Sequence, residues 1–160
     1  MLKSKIKICH ITTVHRPYDV RIFHRMCVAL AKRNISVHLI CNVSCFQVLE
    51  GVNLHGIPSC RNRLYRMTIG VFCAFWKCLI VKPNVVHLHD PELLPLGVLF
   101  KALGVKVIFD MHELVSSQLD DKEYLKANFF SSINYLLYSF FEFLAVKLFD
   151  SIVLAEDGYY

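Results

Sequence analysis

One pattern repeats along this chain and limits what it can fold into. A short apolar run of strand length is followed by a stretch whose apolar residues recur at the helical period. Strands are expected at 5–11, 35–41, 47–57, 84–89, 105–109 and 151–155, the third being the weakest. Helices are expected at 20–33, 64–81, from Asp90 to Gly104, and from Asp120 or Asp121 to Phe149. In the first helix the apolar residues are Ile22, Phe23, Met26, Leu30 and Ala31. Asp90, Pro91 and Glu92 read as N-cap, first helical position and first turn, and Gly104 as the stop. Strand and helix alternate about every 25–30 residues, which is the mark of right-handed βαβ crossovers. The expected fold is therefore α/β, a doubly wound parallel sheet of Rossmann-like type.

The 160 residues suit one domain, and a domain of this length buries roughly 70% of its unfolded surface. Hydrophobic residues make up 55%, which implies either a large core or apolar surface that meets a membrane or another domain. Seven cysteines are present with no Cys-x-x-Cys pair, and several lie inside apolar runs. This fits free thiols in a reducing compartment better than a disulfide framework. The apolar stretch after Lys3, Lys5 and Lys7 is too short and too polar for a signal peptide. The runs at 67–81 and 127–149 are interrupted by charge and read as buried or surface-lying helices. The expected location is cytoplasmic, with peripheral contact to the inner face of a membrane. Residues 1–82 carry thirteen Lys/Arg and two Asp/Glu, whereas residues 83–160 carry five and eleven. The basic half suits phosphates or anionic headgroups, or is simply a solvated surface. No nucleic-acid partner is expected.

In open parallel sheets, ligands bind beyond the carboxyl ends of the strands. The polar residues gather at those ends: His15 to Arg21 after the first strand, His87 to Glu92 at the fourth, and Asp110 to Glu113 at the fifth. Asp19, Asp90 and Glu92 also have the plain role of helix caps, and His87 that of a core histidine. The pair His112 and Glu113 has no capping role. Arg16 and Arg21 lie near a helix N-terminus, where the dipole disfavours cations, and this points them toward a ligand. There is no G-x-G-x-x-G after the first strand, no P-loop and no G-x-S-x-G elbow, which argues against nicotinamide enzymes, P-loop NTPases and α/β-hydrolases.

The segments DVRIFHR, VVHLHDPELLPLG and VIFDMHEL, in this order and approximate spacing, resemble motifs of glycosyltransferase family 4, of the GT-B fold, in one bacterial subgroup. The resemblance covers nearly the whole chain. It implies retaining transfer of a sugar from a nucleotide-sugar to a glycan or lipid-linked acceptor, in surface polysaccharide assembly. It implies no metal or other cofactor, because cations and helix N-termini can stabilise the departing diphosphate. By position, His112 would be the catalytic residue facing the interdomain cleft. Arg16, Asp19, Arg21, His89, Asp90, Glu92 and Glu113 would line the acceptor and diphosphate side. The resemblance makes residues 1–160 the N-terminal, acceptor-side domain.

There are two departures from the family pattern. The loop after the first strand reads HRPYD, without the glycines of many relatives. No glutamate is followed by another eight positions on, so the paired-glutamate donor signature is missing. The expectation is that the C-terminal donor-binding domain is absent and that these residues alone are inactive. Two other readings stay open. One is a metal-dependent hydrolase built on His87, His89, Asp90, His112 and Glu113. The other is a non-catalytic module that binds a partner or a membrane through apolar and basic surface.

Overall fold

A computed structural model describes residues 6–59, 62–111 and 129–154. Seven strands form one sheet: β1 (Lys7–Ile11), β2 (Ser36–Cys41), β3 (Gln47–Leu49), β4 (Val52–Gly56), β5 (Val85–Leu88), β6 (Lys106–Met111) and β7 (Ser151–Leu154). Their spatial order is β3-β4-β2-β1-β5-β6-β7. All neighbours are parallel except β3 and β4. Without β3, the parallel strands follow the doubly wound order, and the winding reverses between β1 and β5. The expected α/β class is therefore what the structure shows.

Among the described residues, four helical segments connect the strands. The first, α1 (residues 20–32), begins as a π-helix at Val20–Cys27 and tightens to α at Val28–Lys32. The Asp19 carbonyl accepts from both Phe23 and His24, which widens the opening turn. Asn34 at φ 64° ends α1, with Asn34 N–H bonded to Ala31 and Ile35 N–H to Leu30. That is a Schellman close, with asparagine in the left-handed position. The second, α2 (Arg63–Val81), is long and apolar enough to cross a membrane by length and composition. Ala74, Cys78 and Val81 nevertheless bury one side of it against the sheet. The third, α3, opens with a 3-10 turn at Pro91–Leu93 and continues as Leu94–Ala102. Gly104 at φ 76° closes it with a second Schellman pair, as the sequence leads one to expect. The fourth, α4, is Phe129–Leu148. The expected start of that helix near residue 120, together with His112 and Glu113, falls outside the described residues.

The third expected strand is in fact a hairpin. Leu49 pairs with Val52, and the intervening Glu50 and Gly51 have φ of 48° and 79°. Positive φ at both central residues suits a type I′ turn, whose twist matches the strands it joins. The signal in the sequence is Gly51, preceded by glutamate rather than by the more usual Asn or Asp.

Strand alternation divides the core. Cys9, Ile11, Val86, Leu88, Val107 and Phe109 face the layer formed by α2, α3 and α4. Val37, Leu39, Cys41, Val52 and Leu54 face α1, against Ile22, Phe23 and Cys27. Gly97 lets α3 approach the sheet closely. A Cβ there would lie 2.3 Å from Phe149 Cζ and 2.8 Å from Leu88 Cδ1. Gly97→Ala is therefore expected to lower stability by about 1–3 kcal/mol, despite alanine's better helix propensity. Urea unfolding at neutral pH checks this.

Candidate functional site

The carboxyl ends of β1, β5 and β6 meet at the strand-order reversal. The polypeptide leaves β1 through Thr12 and Thr13, both buried, and leaves β5 through His89 and Asp90, also buried. The Asp90 carboxylate spans the gap between these exits. Its Oδ2 accepts from Thr12 Oγ1 at 2.9 Å, Thr13 N–H at 2.6 Å and Val14 N–H at 3.3 Å. Burial pushes its pKa up, while the Thr13 amide and His15 pull the other way. His15 Nε2 approaches the other oxygen at 3.5 Å, and its ring is partly exposed at the rim of the crevice.

This corrects one expectation. Asp90 does stand at the start of a helix, but its side chain makes no capping bond there. The DPE sequence is a good local cap signal, but the loop after β1 offers more donors. Glu92 is likewise more than a first-turn acid. Thr13 Oγ1 donates to its Oε1, and Arg66 grips both its oxygens at 2.9 Å, tying α2 to α3. Asp19 is the true N-cap of the group, accepting from Arg21 and Ile22 N–H at 2.9 Å each.

A second buried carboxylate, Asp110, sits in β6 itself, because that strand runs to Met111 rather than ending at Phe109. One oxygen is bound by Arg21, and the other accepts from His89 Nδ1 at 3.1 Å. Arg21 thus has a structural reason for its unfavourable place near a helix N-terminus, since a fully buried carboxylate needs a cation. His89 in turn reaches His10, with Nε2 and Nδ1 2.9 Å apart. Parallel register places His10 beside His87, and the three imidazoles lie with centroids 4.5–5.2 Å apart, His89 stacked on both the others and His10 tilted against His87. Burial pushes His87 down to about 4 and His10 well below its ordinary value, so both rings are neutral at physiological pH.

The structure therefore brings Arg21, His89, Asp90 and Glu92 together at one edge, with Asp19 beside them. Arg16 is exposed on the same loop, where its carbonyl receives Asp19 N–H. His112 and Glu113 lie outside the described residues. Thr12, Thr13, Arg66, His10 and Asp110 are site residues that sequence reasoning did not select. Asp110 has a signal, a carboxylate closing the run VIF, and His10 has one too, since alternation sets it opposite Cys9 and Ile11. Arg66 has none, because its partner is remote in sequence. A groove of about 450 Å³ opens on the same sheet edge, beyond β2 and β4, lined by Ser44, Ser59, Cys73 and Lys77 among others.

Two measurements follow. Asp90→Ala strands the Thr13 and Val14 amides and is expected to cost about 2–3 kcal/mol in urea unfolding, whereas Arg16→Ala should change stability by less than about 0.5 kcal/mol. Stability should also fall with acid. Burial and the neighbouring His55 push His38 down to about 4, from an ordinary value of 6.5. Between those values the unfolded chain binds a proton that the native ring refuses, so the contribution is full above about 6.5 and is lost as pH falls toward 4. The drop in urea midpoint from pH 7 to pH 5 should be smaller in His38→Gln than in the native chain.

No curated protein matches the chain. The family model of Glycosyltransferase Family 4 matches residues 19–153, a span that contains the first helix cap and all of β2 to β6. The chain belongs to glycosyltransferase family 4.

Proposed function

We propose that this chain is the acceptor-binding side of a retaining sugar transferase that uses a nucleotide-sugar donor and a glycan or lipid-linked acceptor in surface polysaccharide assembly. The observation that carries this reading is the convergence of Arg21, His89, Asp90 and Glu92 at the strand-order reversal, in a chain of this family. Such a crevice is where doubly wound sheets bind their ligands. The adjoining groove offers hydroxyls from Ser44 and Ser59 and a cation from Lys77, a lining suited to sugar hydroxyls and a phosphate. His112 is the proposed catalytic residue at the sugar, with Arg16, Asp19 and Glu113 completing the acceptor and diphosphate side. Family resemblance assigns most donor contacts to a second domain, whose paired-glutamate signature these residues lack. The chain should bind a polyprenyl-diphosphate-linked sugar in calorimetry more tightly than a nucleotide-sugar, and should transfer no sugar by itself. Preference for the nucleotide-sugar, or turnover by these 160 residues, would reverse the assignment.

Peripheral membrane contact is proposed for the outer face of the helical layer. Phe72, Trp76 and Ile80 on α2, Leu99 and Leu103 at α3, and Leu136, Phe140 and Phe143 on α4 are all exposed. Lys77, Lys82 and Lys147 lie among them in sequence, so apolar and basic groups alternate as at a lipid interface. A lipid-linked acceptor would then be met at the surface that holds it. Flotation with anionic vesicles should carry the chain upward, and Trp76→Glu with Phe72→Glu should leave it at the bottom. Equal flotation of both proteins would remove this reading.

A further inference from the structure

We propose that His10, His87 and His89 form a binding site for a divalent cation of the zinc class. One ring nitrogen from each lies within 4.8 Å of the others, and all three rings are buried. Two features of the fold create the cluster. Parallel register sets His10 of β1 against His87 of β5, and His89 follows two residues later on the same face. Spacing along the chain reveals only the second pair, so the metal reading open from the sequence drew on His87 and His89 and did not include His10.

Three details of the geometry point to an ion. The first is the support behind His89. Its Nδ1 donates to Asp110, which leaves Nε2 with a lone pair facing the cluster. A carboxylate backing an imidazole in this way is the usual outer shell of a metal-bound histidine, and Arg21 anchors that carboxylate from the other side. The second is spacing. His89 Nε2 and His10 Nδ1 stand 2.9 Å apart, against about 3.3 Å for two nitrogens sharing a tetrahedral zinc. Those two rings need to part by only a few tenths of an ångström, while the third nitrogen, within 4.8 Å of them, has to close inward. The hydrogen that His10 Nδ1 shares with His89 moves to His10 Nε2, so coordination releases no net proton. The third is that His87 Nε2 is buried and has no hydrogen-bond partner, and an ion would supply one.

The donors decide the class of ion. Three imidazoles suit zinc, cobalt or nickel, whereas magnesium and calcium require oxygen ligands that the trio does not offer. Bound there, the ion would join β1 to β5 across the strand-order reversal and, through Asp110, reach β6. The role is structural, and it stands apart from the transferase reading: either can fail without the other.

The test uses the full chain, stripped by a chelator, with its thiols reduced. It is titrated with CoCl2 and ZnCl2 and followed by visible absorption and thermal unfolding. The expected result is one equivalent of cobalt, ligand-field bands without a thiolate charge-transfer band, and a higher unfolding midpoint with either metal. His87→Gln should weaken cobalt binding by about tenfold or more, and Asp110→Asn by about 10–100-fold, while His38→Gln should not change it. No uptake, a thiolate band that places the metal on cysteine, or an equal loss in His38→Gln would overturn the proposal. If the His87 and Asp110 variants do not fold, the native cobalt spectrum and midpoint decide alone.

Discussion

The carboxylate of Asp90 is the constraint on which the rest of this site depends. A doubly wound sheet reverses its winding between two strands, and the connections on either side lead away from each other. At that point the backbone amides after β1 need acceptors. Asp90 supplies one, taking the Thr12 hydroxyl and two amides onto a single oxygen. The desolvation that raises its pKa is opposed by those donors. The result is a rigid rim in a place where a sheet of this type would otherwise leave a loose loop. Glu92 extends the same logic outward, since Thr13 and Arg66 fasten it between the loop and α2.

Asp110 poses a harder problem, because it is fully buried in a strand. A buried charge must be paired or it will be neutralised. Here the pairing comes from two directions, Arg21 from α1 and His89 from the end of β5. That double claim explains two local oddities at once. Arg21 occupies a helix start that disfavours cations, and His89 turns inward rather than toward solvent. Both side chains follow from one carboxylate.

Much of the fold was legible in the sequence, because it rests on periodicity. Strand and helix order, the Gly104 stop and the Asp19 cap all derive from local chemistry that the residues carry with them. The misreadings occurred where a remote partner outbids a local one. Asp90 has every mark of a helix cap, yet Thr12 and Thr13, 78 and 77 residues away, take its carboxylate. The 47–57 segment shows the opposite failure. Its turn was marked by Gly51, but a glutamate in the preceding left-handed position is uncommon enough to hide it. The π-turns at Val20–Cys27 and Arg66–Gly70 have no residue signature at all. They arise from how one carbonyl is shared between two amides, as at Asp19, or from a hydroxyl folding back, as Thr68 does onto Leu64 and Tyr65.

The two faces of the sheet have different chemistry, and this gives the molecule its direction. The face toward α2, α3 and α4 is apolar through to the outer surface of the helices, where Phe72, Trp76, Leu99 and Phe140 remain uncovered. The opposite face carries His10, His87 and Asp110 beside the crevice, with α1 packed over β2 and β4. Apolar surface of that extent is a poor exterior in water but a good one against lipid. Polar groups held neutral or paired in a dry cleft are poor core but good ligand-facing chemistry. The proposed transferase, with an acceptor tethered to a membrane, would need both properties. It must lie against the surface and still present a polar cleft at the strand ends, and a doubly wound sheet separates these tasks because alternate residues of each strand point to opposite sides.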